Sequence, residues 1–417
     1  MSSPPTPTPT TPRVTSVDVM RGLTILAMIF VNDIAGVPDT PAWLKHIQPP
    51  HADGMTVVDV VFPAFLFIVG LSIPLALRSR QAKDETTLGT VLHVLTRSLS
   101  LLVIGVFMVN AEHIASPGLL DENLWNLLAY SGVILFWVRW PARGPQDARL
   151  QHALQVAGVM VMAAAALLYR AEAGSGLIQM RPHWWGILGL IGWAYLVATL
   201  TYLLVRGNPG LLLGAAAGLF AFYVALEDGW LGQLQQTPPF GSAGPVLGSH
   251  AALVLLGAFM GRAFLPDAPH RTLAARAAWG GLVAAGFALA GWLLYLPHER
   301  VPCLIINKIL ATPPWCLYSA AITAACLVAV SLLVDRQTPP RWSSLPELAG
   351  KNALLAYILA PVIYALFGGF ADLTGTDNLF HALGSPFALG LARSIAMALL
   401  VCGIAAWLTR RRAFLRL

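Results

Sequence analysis

Two histidines, His46 and His51, lie in the polar stretch KHIQPPHADGMT, directly ahead of an apolar run that opens with an acid, Asp59. Histidine is the side chain that exchanges a proton near neutral pH, and a carboxylate placed in a membrane is functional by default. The bland alternative for Asp59 is a cap or ion pair at the interface. From Val57 about twenty residues are apolar except Asp59 and Ser72. At roughly 1.5 Å per residue that length crosses a hydrocarbon core of about 30 Å. Within the run Asp59, Pro63, Gly70 and Pro74 are spaced 4, 7 and 4 apart and share one stripe of a helix. Proline cannot donate to the carbonyl four residues earlier, so Pro63 frees the carbonyl of Asp59 and Pro74 that of Gly70. Freed carbonyls in a membrane need protein or water, and the stripe is expected to line a polar interior.

Other polar groups interrupt the apolar runs near their ends. Arg21 and Asn32 stand eleven residues apart, three turns along one face of the first run, with Asp18 one turn before Arg21. Asp18 and Arg21 are either snorkelling charges or part of that polar face. Arg97, beside His93 in the third run, is either a snorkelling anchor or a ligand for an anionic group. Asn307 and Lys308, in VPCLIINKILATPPWCLY, form a second polar cluster, and Lys351 and Asn352 open GKNALLAY. His250 reads as a structural histidine.

These residues need a frame that holds them in a membrane. The chain has 417 residues, of which 57% are hydrophobic and 11% charged, with a mean hydropathy of +0.67. Soluble domains carry about 25% charge, so the class is an all-α polytopic membrane bundle. Apolar runs at 17–36, 57–77, 88–109, 124–140, 152–170, 184–205, 210–227, 246–264, 275–296, 313–334, 346–368 and 386–408 predict about twelve spans. The small residues of 210–227 and 246–264 predict close helix contacts. With the N-terminus in the cytoplasm, seventeen loop arginines and lysines fall inside and five (Lys45, Arg170, Arg181, Arg300 and Lys308) outside. Both termini are therefore expected in the cytoplasm and the two histidines outside an inner, plasma membrane. Lys308 runs against this charge rule and so suggests a specific partner. The net charge of +6 is explained by the same rule and implies no nucleic acid. Four cysteines show neither metal-site nor disulfide spacing, so no metal is expected. Residues 1–12, rich in Pro and Thr, read as a disordered tail before a single domain over 13–417.

The segments SVDVMRG, ADGMTVVDVVFPAFLFIVG, INKILATPPW and GKNALLAY resemble the motifs of the heparan-alpha-glucosaminide N-acetyltransferase family, and more closely its bacterial relatives of unassigned function. The resemblance implies a transmembrane acyltransferase that takes acetyl-CoA from the cytoplasm and acetylates an amino sugar on the far side through a loop histidine. The family's H-x-x-W-N/H-G run is absent here. His46 stands eight residues before Gly54 and His51 three before it, and both remain candidates, with His46 favoured because it follows Trp43 in WLKH. On this reading the histidine is a base for the amine or a transient acyl carrier, and Asp59 orients it or binds the amine. Asn32, Asn307 and Lys308 supply donors to an oxyanion, with Asn352 a further substrate-binding candidate. Arg21 and Arg97 line an entry for the phosphates of coenzyme A. The lipid bilayer, acetyl-CoA and a glycan acceptor are the expected partners, and the oligomeric state is left open between monomer and homodimer. A secondary transporter of a small polar solute is the competing class, since such carriers also show twelve spans and intramembrane charges.

Overall fold

A computed structural model describes residues 14–115, 119–142, 144–171, 176–184, 186–231, 243–270, 272–336 and 338–417. The expected tail at 1–12 and Arg13, Arg143 and Arg271 of the charge count lie outside the described residues. Among the described residues twelve long helices follow one another: α1 (Thr15–Ile34), α2 (Val58–Gln81), α3 (Thr87–Ala111), α4 (Glu122–Trp137), α5 (Pro145–Leu168), α6 (Ile187–Leu204), α7 (Pro209–Glu227), α8 (His250–Gly261), α9 (Leu273–Tyr295), α10 (Pro313–Val334), α11 (Ala353–Thr374) and α12 (Phe387–Arg410). Ten of them, α8 with its flanking turns as Gly244–Phe264, are long and apolar enough to cross a membrane. The other two are α1, whose 20 residues include Asp18, Arg21 and Asp33, and α4, with 16 residues. The protein is a polytopic helical membrane protein. Among the described residues the strand pairing is a two-residue antiparallel match of Val138–Arg139 with Phe414–Leu415, beside an isolated bridge between Ile114 and Ala171.

The run expected as one span at 346–368 is broken. A short helix, Ser344–Gly350, ends at Lys351, and α11 begins after Asn352, whose φ of −131° and ψ of 38° are not helical. The break leaves the polar pair Lys351–Asn352 at a helix junction rather than inside a helix.

α8 is the most buried span, apolar all round, and it packs lengthwise on α2. Glycines make the seam. A Cβ at Gly70 would strike the Val254 carbonyl, and one at Gly257 would strike that of Phe67. The stripe expected to line a polar interior is therefore divided. Its Asp59 end is polar, but Gly70 and Pro74 lie in this seam, because two spans bearing glycine pack more closely than any water-lined face allows. The carbonyl of Asp59 freed by Pro63 accepts the indole N–H of Trp315 from α10 at 3.2 Å.

The loop between α1 and α2 is strapped to the one before α10. Asn307, fully buried, donates both amide hydrogens to the carbonyls of Pro50 and Ala52, each at 2.9 Å. Asp53 accepts the Ile306 N–H at 2.8 Å and the Tyr295 hydroxyl at 2.7 Å. Gly54 donates to the Ile306 carbonyl at 2.7 Å with a φ of 144°, a conformation open only to glycine without strain.

Candidate active site

At the mouth of α2, His46 Nδ1 lies 2.7 Å from Asp59 Oδ1. The imidazole is 40% exposed and the carboxylate 1%. Asp59 sits in the first turn of α2, where the positive end of the helix dipole favours an anion. Its Oδ2 also accepts the backbone N–H groups of Thr56 at 2.9 Å and Ile47 at 3.2 Å. A carboxylate held by three N–H donors can stay ionised though buried. As an acceptor it takes a hydrogen bond from His46 Nδ1 and orients the ring with Nε2 turned away from the acid. His51 is exposed on the same loop. Of the two histidines, His46 is the one that meets the acid.

Lys308 Nζ stands 3.2 Å from His46 Nδ1 and 3.1 Å from Nε2. The in-plane lone-pair directions of the two nitrogens diverge, so an atom nearly equidistant from both lies against the ring and on neither axis. Burial holds the Lys308 ammonium below the usual lysine range, opposed by the nearby Asp59 carboxylate. Asn307, expected among the oxyanion donors, has its amide hydrogens engaged by the loop carbonyls, and its Oδ1 accepts from Leu310 N at 2.9 Å. In the structure it is a strut that carries Lys308 to His46.

The opposite end of the bundle holds a cavity of about 430 Å³. Arg21, Arg97, Lys351 and Arg416 supply its cations, and Ser72 and Tyr195 are among its polar walls. Arg21 donates to Ser72 Oγ at 2.6 Å and to Asp18 at 3.0 Å. Arg97 stacks on the Tyr195 ring, 4.8 Å from its centroid, and its Nε is buried without a hydrogen-bond partner among the described residues. Asn352 donates to the Ala413 carbonyl at 2.9 Å and accepts from Leu415 N at 3.1 Å. It thereby ties down the C-terminal strand that brings Arg416 to the cavity. Arg416 is one of the seventeen cations expected inside, and nothing in its spacing shows that the chain folds back to this wall.

Asn32 goes elsewhere. It lines a second cavity of about 470 Å³ at the His46 end, among α1, α3, α4 and α11, with Glu112, Glu122 and Asn126. His46, Asp59 and Lys308 are not in that lining. Tyr357 walls both cavities, and Pro361, one turn later, leaves its carbonyl without a helical donor. The neighbour of Asn32, Asp33, is buried in a network missed from the sequence, accepting from Arg393 at 2.7 Å, Ser394 at 2.7 Å and Tyr364 at 3.0 Å. The available signal was an arginine, Arg393, standing inside the last apolar run. Among the described residues no group of three His, Cys, Asp or Glu side chains could hold a metal ion.

The chain is 35% identical over 130 residues to the heparan-alpha-glucosaminide N-acetyltransferase of Homo sapiens and 34% identical over 129 residues to that of Mus musculus. Each match covers 30% of this chain and 18% of the relative's length. Residues 13–234, from α1 through α7 and including His46, Asp59, Arg21 and Arg97, match the model of a domain of unknown function, DUF5009. As that match takes in more than half of the chain, the chain belongs to the DUF5009 family.

Proposed function

We propose that this protein is a transmembrane acyltransferase. Acetyl-CoA approaches from the cytoplasm into the Arg21–Arg97 cavity, and the acetyl group passes to an amine of an amino sugar or related glycan at the extracytoplasmic His46. The observation that carries the reading is the His46–Asp59 pair, an imidazole held through Nδ1 by a buried carboxylate, with Nε2 turned away from that acid. A basic cavity at the opposite end of the same bundle supports it, because coenzyme A is rich in phosphate. The limited similarity to membrane N-acetyltransferases points to the same chemistry.

Two routes fit the pair. In the direct route Nε2 takes a proton from the amine as its nitrogen bonds to the thioester carbonyl carbon, and the C–S bond breaks to release coenzyme A. In the carrier route Nε2 itself attacks that carbon, the C–S bond breaks and coenzyme A leaves as the thiolate, and the amine then displaces the imidazole, whose freed Nε2 takes up the amine's proton. In both, negative charge builds on the carbonyl oxygen, and Lys308, beside Nε2, is the nearest cation to meet it. Tyr357 is common to the donor cavity and to the Asn32 cavity, which His46 does not line.

Transport of a small polar solute draws on that same feature, two cavities at opposite ends sharing one wall. Coenzyme A binding separates the readings. Coenzyme A should raise the unfolding temperature of the purified protein, and Arg97→Ala should weaken the apparent affinity by about tenfold or more, the worth of a charge-assisted contact. Absence of protection at millimolar coenzyme A would count against acyl transfer.

A further inference from the structure

One side of α7 makes the close contact its small residues predict, since Ala216 is buried and a Cβ at Gly248 would come within 3.0 Å of the Leu219 carbonyl, but the other side does not. On facing helices such residues ordinarily let backbones touch, as Gly257 and Gly70 do between α8 and α2. Here Ala217, Ala221 and Ala225 of α7, with Gly286 and Ala290 of α9, line a slot of about 800 Å³ floored by Leu256 and Phe259 of α8. Among the described residues Gly286 has no atom within 4 Å of where a Cβ would sit. The lining is apolar except for Asp228, which with Trp230 stands at the rim.

The slot runs from the middle of the bundle to the His46 end, where Leu304, Pro313 and Leu317 complete it. Leu304 and Pro313 bracket the segment that holds Asn307 and Lys308. Tyr223 of α7 donates its hydroxyl to the Leu310 carbonyl of that segment at 2.9 Å. One wall of the slot is thus bonded to the loop that presents Lys308 to His46. α2, with His46 at its mouth, packs on α8 and α10, both of which line the slot.

We propose that the slot seats the hydrocarbon tail of a membrane-anchored acceptor, so that its amine-bearing glycan head lies at His46 and Lys308. The inference rests on the acyl-transfer reading and adds to it the physical class of the acceptor. Lipid tails are as apolar as the slot, so the slot supplies little hydrophobic driving force. What it supplies is alignment, holding the head at the site and turning a free encounter into a positioned one.

The test uses the full-length protein in proteoliposomes with acetyl-CoA and two acceptors, dodecyl and methyl 2-amino-2-deoxyglucoside. The expected kcat/KM is at least tenfold higher for the dodecyl compound. Gly286→Phe should bring that ratio to about one, whereas Gly281→Phe, on the same helix with equally open space and outside the slot, should keep it. Equal rates on the two acceptors, or a ratio untouched by Gly286→Phe, overturn the proposal. A dodecyl 2-amino-2-deoxyglucoside carrying a diazirine at the chain end gives a readout free of catalysis. It should label α7 and α9 in the parent protein and not in Gly286→Phe. Such labelling without acetyl transfer would sustain the slot and sink the acyltransferase reading. Transfer without labelling would do the reverse. Equal labelling by a phosphatidylcholine bearing the same diazirine would make the slot a place for bilayer lipid and overturn the proposal.

Discussion

His46 and His51 are the same residue type on the same loop, and the fold gives them different surroundings. His46 has a carboxylate on Nδ1 and an ammonium against its ring, whereas His51 is exposed. Replacement of His46 by Ala should therefore lower acetyl transfer by about 10²- to 10⁴-fold, the usual worth of a positioned acid or base. His51→Ala should cost little, and coenzyme A should still protect both variants thermally. Asp59→Asn should follow His46→Ala, because an amide at that place no longer fixes the tautomer. Full turnover in His46→Ala would remove the histidine from the mechanism. The sequence could not choose between the two histidines, because the choice depends on the path of Ile47–Asp53, which Asn307 sets from more than 250 residues away. Nor did spacing show that Asn307 would spend its amide on that path.

Lys308 has a separable effect on stability. Its folded pKa is depressed by burial, so between that value and the ordinary 10.5 the unfolded chain holds more protons than the folded one. Stability therefore rises with pH across that window, and below it the cost of the buried ammonium is fully present. Lys308→Met should unfold at a higher temperature than the parent protein at pH 7, with the gap narrowing as pH approaches 10.5, while acetyl transfer falls. A gap that widened with pH would reverse the sign and mean that the ammonium stabilises the fold.

Among the elements, the seam between α2 and α8 decides how firmly Asp59 is held. Gly257→Ala would drive a methyl into the Phe67 carbonyl and should cost about 1–3 kcal/mol, the range for an overpacked interior. Gly281→Ala, with open space, should be near neutral. Thermal unfolding of the two variants in micelles checks the contrast, and equal losses would mean that the seam has slack. The helices were legible, since each of the twelve apolar runs falls on a helix and ten of these helices are long and apolar enough to cross a membrane, and period and length depend only on local composition. Less legible was what each polar or small stretch does once packed. Asp59 could be read as the mouth of α2 from its place in the run, but Gly70 and Pro74 could not be told from a water-lined stripe. The break at Lys351–Asn352 was hidden because the run stays apolar on both sides of it. The alanines of α7 gave the same signal as the glycines of α8 and ended in a void.

For the molecule as a whole, the question is whether its two ends work on one reaction. The Arg21 cavity and the His46 pair are at opposite ends, α1 and α2 reach both, and Tyr357 stands between the two cavities. The relation was foreseeable only in outline. Charge asymmetry predicts which end faces which side, but the Asp33–Arg393 pair, 360 residues apart, and the fold-back of Arg416 needed the three-dimensional path. The most direct test is acetyl transfer across a sealed membrane. The protein is reconstituted in vesicles, and orientation is scored by an impermeant thiol reagent at Gln48→Cys in a Cys303→Ser background. Acetyl-CoA is then supplied only on the Arg21 side and glucosamine only on the His46 side. The account predicts N-acetylglucosamine on the His46 side, lost in His46→Ala. Product formed only when both substrates share one side, or formed unchanged in His46→Ala, would contradict it.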